Sequence, residues 1–220
     1  MLILALDTAT DQGSLALMAA DRLLLEFSLK SQGTYLTRLL PEVEALLKSA
    51  GRSLKEVGAI AVSQGPGNFT GLRIGLATAK GLAWALGCSL VPVPTLEVLA
   101  AQVPLSPHQV GVLVDAKRRE VYFGLFRGHP GQPQPLLEPQ RLPVALLPAR
   151  LKPPLTLTGP GLNAYGDFLK ETLPPQIQWA PPQIRHPRAA TVARLALPRL
   201  ARGLTASPAQ LTPIYLRPAL

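Results

Sequence analysis

Hydrophobic and polar positions alternate along this chain in two recognisable rhythms. Leu2 to Leu6 is an almost continuous apolar run, as in a strand buried on both faces, and it stops at the small polar turn Asp7-Thr8-Ala9-Thr10-Asp11-Gln12-Gly13. Ser14–Ala19 and Leu23–Leu29, separated by Asp21-Arg22, predict two antiparallel returns. From residue 35 the spacing becomes helical, with Leu36, Leu39, Leu40, Val43, Leu46, Leu47 and Ala50 on one broad face and Gly51 as the stop. Pro41 falls inside that pattern and predicts a kink unless the helix starts close to it. A buried strand over 57–63, a glycine loop, a helix over 72–86, a short strand over 90–93 and a short helix over 95–102 follow.

The second half opens the same way. Val110–Val114 predicts a strand ending in Asp115, Lys117-Arg118-Arg119 a turn, and Glu120–Phe126 a return. Residues 128–154 and 172–188 are rich in proline and read as surface connectors, around a strand at 155–158 and a helix at 162–171. Ala189–Arg202 predicts a last helix. Asp7 and Asp115 thus close equivalent strands about 108 residues apart, the signature of an internal duplication. The expectation is a two-lobed α/β protein. Residues 1–106 form the N-terminal lobe, with 189–220 packing back on it, and 107–188 the C-terminal lobe.

Charge alters this picture only when split by position. The formal net charge is +9, yet residues 1–110 carry eight groups of each sign, so the whole excess belongs to residues 111–220. After Glu171 there are six arginines and no acid. Such an asymmetry points to an anionic partner on that half, nucleic acid first, or to an arginine-rich surface serving solubility. One cysteine, Cys88, excludes an internal disulfide framework and suits a reducing compartment. No apolar run approaches the roughly 18 residues of a membrane span, and the N-terminal apolar run meets Asp7 too early for a secretory signal. A cytoplasmic protein is expected.

Candidate chemistry concentrates in the first half. Gly65, Gly67 and Gly71 precede a helix whose N-terminus offers unpaired N–H groups to an anion. The spacing matches neither a dinucleotide fingerprint nor a P-loop, so a purely structural turn stands beside phosphate binding. The helix itself is apolar nearly all round, broken only by Arg73 and Lys80. It is therefore either sandwiched inside the chain or shared with a partner, for which Gly75, Ala79 and Ala83 would permit close approach. Asp7 and Asp115, at strand ends facing the expected cleft, either hold a hydrated metal with phosphates or cap their own turns. His108, His129 and His186 stand singly, without zinc-binding spacing, and no serine-nucleophile elbow is present. Cys88 has no histidine near it in sequence and reads as an inert thiol.

Four stretches together resemble one family. Leu2-Ile3-Leu4-Ala5-Leu6-Asp7-Thr8-Ala9-Thr10, Ser63-Gln64-Gly65-Pro66-Gly67-Asn68-Phe69-Thr70-Gly71-Leu72-Arg73-Ile74-Gly75, Ala77-Thr78-Ala79-Lys80-Gly81-Leu82-Ala83 and Asp115-Ala116-Lys117-Arg118-Arg119-Glu120-Val121-Tyr122 are similar to the bacterial TsaB (YeaZ) family. Tyr215-Leu216-Arg217 is a fainter echo at the end. The resemblance implies an ASKHA fold, the actin, sugar kinase and Hsp70 architecture, with a mixed sheet and flanking helices in each lobe. It implies a non-catalytic scaffold for threonylcarbamoyladenosine formation beside the tRNA anticodon. Such a scaffold pairs with the catalytic subunit TsaD, recruits the ATPase TsaE, meets tRNA through the complex and forms a homodimer when alone.

By the same resemblance the pairing surface lies on the two N-lobe helices. The candidate interface residues are Tyr35, Leu36, Leu39, Leu40, Val43, Leu72, Gly75, Leu76, Ala79, Leu82 and Ala83. The candidate nucleotide or phosphate cleft comprises Asp7, Thr8, Thr10, Gly65, Gly67, Asn68 and Asp115, with no firmly bound cofactor expected and ATP with magnesium reserved for the assembled complex. No catalytic residue and no metal ligand is assigned. Two departures stand out: Tyr35 occupies a place where the family often has histidine, and Asn68 replaces the usual loop serine, which asparagine can replace as a cap. The competing class is an enzyme: an ASKHA nucleotide hydrolase, or a metallopeptidase of the glycoprotease type.

Overall fold

A computed structural model describes residues 1–30, 35–104, 109–127 and 132–216. The described chain forms two compact units, Met1–Thr95 with Pro187–Ile214, and Leu96–His186 with Tyr215 and Leu216. His108, His129 and Arg217 fall outside the described residues.

The first unit holds strands β1 (Leu2–Asp7), β2 (Gln12–Ala19), β3 (Arg22–Lys30), β4 (Val57–Gly65) and β5 (Ser89–Pro94) in the order β3-β2-β1-β4-β5. β1 pairs antiparallel with β2 and parallel with β4. Alternation sends Leu2, Leu4, Leu6, Leu15, Leu17, Ile60, Val62 and Leu90 to one face, where helices α1 (Tyr35–Ser49) and α2 (Phe69–Leu86) cover them. α1 runs through Pro41 as one helix. The other face carries Ile3, Ala5, Ala16, Ala59 and Ala61, all buried, beneath the last helix, Ala189–Ala201.

The second unit repeats the scheme. Strands β6 (Gln109–Asp115), β7 (Glu120–Arg127), β8 (Gln134–Pro143), β9 (Leu155–Thr158) and β10 (Gln178–Trp179) run in the order β10-β9-β6-β7-β8, which is the first sheet's topology read from its other end. One face packs under helix α3 (Thr95–Gln102) through Leu96, Leu99, Val110, Val112, Val114 and Phe126. The other is covered by the short helices α4 (Leu147–Arg150), α5 (Gly161–Ala164) and α6 (Gly166–Thr172). The last helix of the chain is thus α7 (Ala189–Ala201). α3 follows the first strand series yet covers the second sheet, while α7 follows the second series and covers the first.

Three sequence expectations are corrected. Residues 134–143 form an edge strand, not a connector; a strand at the sheet edge, with register shifts along it, tolerates Pro135, Pro139 and Pro143. Residues 178–179 add a short parallel strand within the second proline-rich stretch. The helix expected over 162–171 is two helices, divided at Tyr165, whose φ of −125° leaves the helical range.

α7 has no N-cap side chain of its own; the sheet beneath supplies one. Ser14 Oγ accepts from the Ala189 N–H (2.7 Å), Glu26 Oε1 accepts from the Ala190 N–H (2.9 Å), and Arg188 pairs with the other Glu26 oxygen. One orphan donor is met by a buried hydroxyl, and the other, with the positive end of the helix dipole, by a carboxylate that is itself nearly buried. Glu26→Ala is expected to cost about 1.5–3 kcal/mol, whereas Arg188→Ala, half-exposed, costs less than about 1 kcal/mol. Urea unfolding of the two variants checks the asymmetry.

Candidate functional site

The turn after β1 and the loop before α2 interlock. The Thr8 hydroxyl donates to the Gly71 carbonyl (2.7 Å) and the Asn68 N–H to the Ala9 carbonyl (2.7 Å). Asn68 caps α2, its Oδ1 accepting from the Gly71 N–H (2.9 Å), so asparagine keeps the loop closed as expected. A Cβ at Gly67 would stand 2.2 Å from Ala9 O, at Gly71 2.2 Å from Thr8 O, and at Gly75 2.1 Å from Thr8 Oγ1. Gly67 and Gly71 are required by backbone packed against backbone, and Gly75 by the Thr8 side chain. The C-terminal segment closes the loop's other side: the Ile214 N–H donates to Gln64 O (2.9 Å), and a Cβ at Gly65 would meet Ile214 O at 2.8 Å.

Asp7 is sealed beneath this junction, fully buried, accepting from the Ser63 hydroxyl and from the Ala9 N–H (3.2 Å). Burial pushes its pKa up to about 7, against the opposing pull of those two bonds. Thr10 is also buried, its hydroxyl turned to Gln12 O (2.8 Å), and the Tyr35 hydroxyl donates to Thr10 O (3.0 Å). Burial, then the charges of Asp7 and Asp11, raise the Tyr35 pKa further above the usual phenol value. In the second unit Asp115 accepts from the Lys117 N–H (2.8 Å), Lys117 Nζ (2.7 Å) and the Tyr165 hydroxyl (2.8 Å). Partial burial opposes ionisation there, but those bonds win and hold the carboxyl below its ordinary value.

The residues proposed for a nucleotide or phosphate cleft are therefore committed elsewhere. The loop's inner side is filled by the Thr8-Ala9 turn, Asn68 is spent on its own helix, and Asp7 has no surface with which to meet a hydrated cation. Asp7, Thr8, Thr10, Gly65, Gly67 and Asn68 do not fit a phosphate or a magnesium ion. Asp115 caps its own turn. Among the described residues no three of histidine, cysteine, aspartate and glutamate converge to hold a metal. Cys88 is half-buried, and burial raises its thiol pKa.

The interface assignment needs a similar correction. Tyr35, Leu39, Val43, Leu72, Gly75, Leu76, Ala79 and Ala83 are all buried in the first unit, so they have no face left for another chain. Of the residues expected there, Leu36 and Leu40 are exposed (71% and 54%), and Leu82 is half-buried. α2 carries a second stripe at the same fourfold spacing, Phe69, Arg73, Ala77 and Gly81 with Trp84, and this is the one turned outward. Trp84 is 74% exposed and Phe69 47%, with the Arg73 guanidinium 3.9 Å from the Phe69 ring centroid. Between these aromatic ends Ala77 and Gly81 leave the backbone open, and a Cβ at Gly81 would meet nothing within 4 Å. The sequence reading missed Phe69 and Trp84; their large apolar side chains at helical spacing with Ala77 and Gly81 were the signal that could have found them.

The chain is 30% identical to the tRNA threonylcarbamoyladenosine biosynthesis protein TsaB of Escherichia coli (strain K12) over 225 residues, covering 99% of this chain and 95% of that one. The chain belongs to the TsaB family. Identity to the Bacillus subtilis (strain 168) TsaB is 35% over 127 residues, a match spanning 58% of this chain and about half, 56%, of that relative. The family model described as TsaD, tRNA N6-adenosine threonylcarbamoyltransferase, matches residues 30–219. The solved structure of YeaZ from Pseudomonas aeruginosa is 32% identical and superposes with a TM-score of 0.83, covering 98% of this chain and 99% of that one. The fold is thus of the ASKHA type, with one mixed sheet and its helices in each unit. No helix among the described residues is long and apolar enough to cross a membrane.

Proposed function

We propose that this chain is the non-catalytic scaffold subunit of a tRNA threonylcarbamoyladenosine-forming assembly, pairing with a TsaD-like catalytic subunit so that the pair recruits a TsaE-like ATPase. Membership of a family named for that biosynthesis supports the pathway. The outward stripe of α1 and α2 carries the rest: Leu36, Leu40, Phe69 and Trp84 leave large apolar side chains in water, on helices whose inner faces are already satisfied. Such side chains around a small-residue seam suit a partner helix, and aromatic residues in such positions dominate binding energies. Alone, the same stripe pairs with a second copy. The internal use of Asp7 and the glycine loop favours a scaffold over a hydrolase, because the groups an enzyme would spend on a nucleotide hold the fold together. tRNA belongs to the assembled complex, in the cytoplasm.

Trp84→Glu and Leu36→Asp are expected to weaken association with the TsaD-like partner about thirtyfold or more, with urea unfolding unchanged. Size-exclusion chromatography with light scattering reads the first, circular dichroism the second. Reconstituted tRNA modification should require this chain and fail with Trp84→Glu. Unchanged association of both variants would remove the interface.

A further inference from the structure

We propose that a pocket on the second unit binds the phosphate backbone of single-stranded RNA, one nucleotide deep. The pocket holds about 450 Å³, ample for one nucleotide, and is built wholly from the second unit. Its walls include Arg119, Tyr165, Phe168, Lys170, Trp179 and Arg185. Three cations and three aromatic rings thus share one concavity, with Asp167 as the single opposing charge.

None of the three cations is ion-paired to a carboxylate among the described residues. Arg185 is aimed by its own bonds, Nε to Ala180 O (2.8 Å) and a terminal nitrogen to Asn163 Oδ1 (3.2 Å). Lys170 Nζ and the Arg185 guanidinium stand 6.0 and 5.9 Å from the Trp179 ring centroid, an arrangement that steadies positive charge without neutralising it. Charge kept in a cavity in this way is available to an anion.

Arg119 reaches the pocket from an unusual turn. Lys117, Arg118 and Arg119 have φ of +61°, +55° and +60°, three successive residues in the left-handed region that glycine alone occupies without strain. Asp115 holds the turn through the Lys117 N–H and Nζ, and the Glu120 N–H closes it on Lys117 O. Glycine would form this turn at less cost; three cationic side chains stand there instead, and strain retained in such a place points to use of the side chains. Lys117 is paired to Asp115, whereas the exposed Arg118 extends the positive field beyond the pocket, as a continuing strand requires. Residues 96–186 of the second unit carry nine Lys/Arg against six Asp/Glu, so the unit itself is basic. The choice of an RNA strand over a free nucleotide rests on the tRNA reading above.

The test is titration of the full chain into a fluorescein-labelled ten-residue oligoadenylate, followed by anisotropy at several salt concentrations. Arg119→Glu and Lys170→Glu are each expected to weaken binding about tenfold and to flatten the salt slope by about one. Lys152→Glu, an exposed cation of the same unit outside the pocket, changes affinity less than about twofold. In a Trp84→Phe background Trp179 is the only tryptophan, and its fluorescence should respond to the oligonucleotide. Arg118→Gly guards against misfolding: it relieves the left-handed strain, so it should melt no lower than wild type while binding the strand more weakly. Absence of binding, equal loss with Lys152→Glu, or displacement by AMP or inorganic phosphate at the strand's own concentration would each overturn the proposal. The pocket variants should still associate with the TsaD-like partner, so that measurement judges the scaffold reading separately.

Discussion

Asp7→Asn is expected to raise stability at pH 8 by roughly 4 kcal/mol and to leave it unchanged near pH 4. The carboxyl is fully buried, with its pKa raised from 3.8 to about 7. In the unfolded chain it titrates near its ordinary value. Between those limits the folded protein keeps a proton that the unfolded chain has released, so stability falls as pH rises, by about 1.4 kcal/mol per pH unit at most. Above pH 7 the loss is complete and the slope ends. Asparagine preserves an acceptor for the Ala9 N–H and a partner for Ser63 while carrying no charge. Urea midpoints of both proteins from pH 4 to pH 8 should converge at the acid end and diverge towards neutrality. Parallel curves would mean that Asp7 is charged in the fold at no cost.

Gly71→Ala separates a packed glycine from a phosphate-binding one. The added methyl would sit 2.2 Å from the Thr8 carbonyl oxygen, a backbone atom that can retreat only if β1 or α2 moves. Losing that junction, with the Thr8–Gly71 bond and the Asn68 cap, should cost roughly 3 kcal/mol or more. Were the loop shaped for a nucleotide, the same substitution would leave the free protein's stability nearly intact. Gly81→Ala, on the open face of the same helix, serves as control and should stabilise by about 0.5–1 kcal/mol.

Much of the architecture was legible because its strands are short apolar runs bounded by turn residues, twice over. Leu2–Leu6 and Val110–Val114 announce equivalent central strands, and both sheets have the same topology. The orientation of α2 was not legible. A helix apolar all round has no polar face to mark its outside, and Gly75-Ala79-Ala83 and Arg73-Ala77-Gly81 are equally plausible seams by spacing alone. Thr8 decides between them, and its position 63 residues before Gly71 is a tertiary fact. The glycine loop misled for the same reason: glycine reports close approach without saying what approaches. Edge strand β8 was hidden by its prolines. Trp179 and Arg185, in the second proline-rich connector, carried no periodic signal, and the pocket depends on elements that spacing could not bring together.

The exchanged helices have a consequence for synthesis on the ribosome. The first sheet is complete once β5 has emerged at Pro94, yet one of its faces stays uncovered until α7, beginning at Ala189, follows. At roughly 5–20 residues per second that interval is on the order of 5–20 s. The waiting face mixes Ala5, Ala16, Ala59 and Ala61 with Ile3, Met18, Val91 and Val93, so apolar area stays open to neighbouring nascent chains until α7 arrives. A fragment ending at Thr95 should therefore remain incompletely folded, and a peptide of residues 187–214 supplied separately should complete it. A stop codon just before residue 189 would deprive the first unit of its covering helix even though Leu96–His186 of the second unit had already been made.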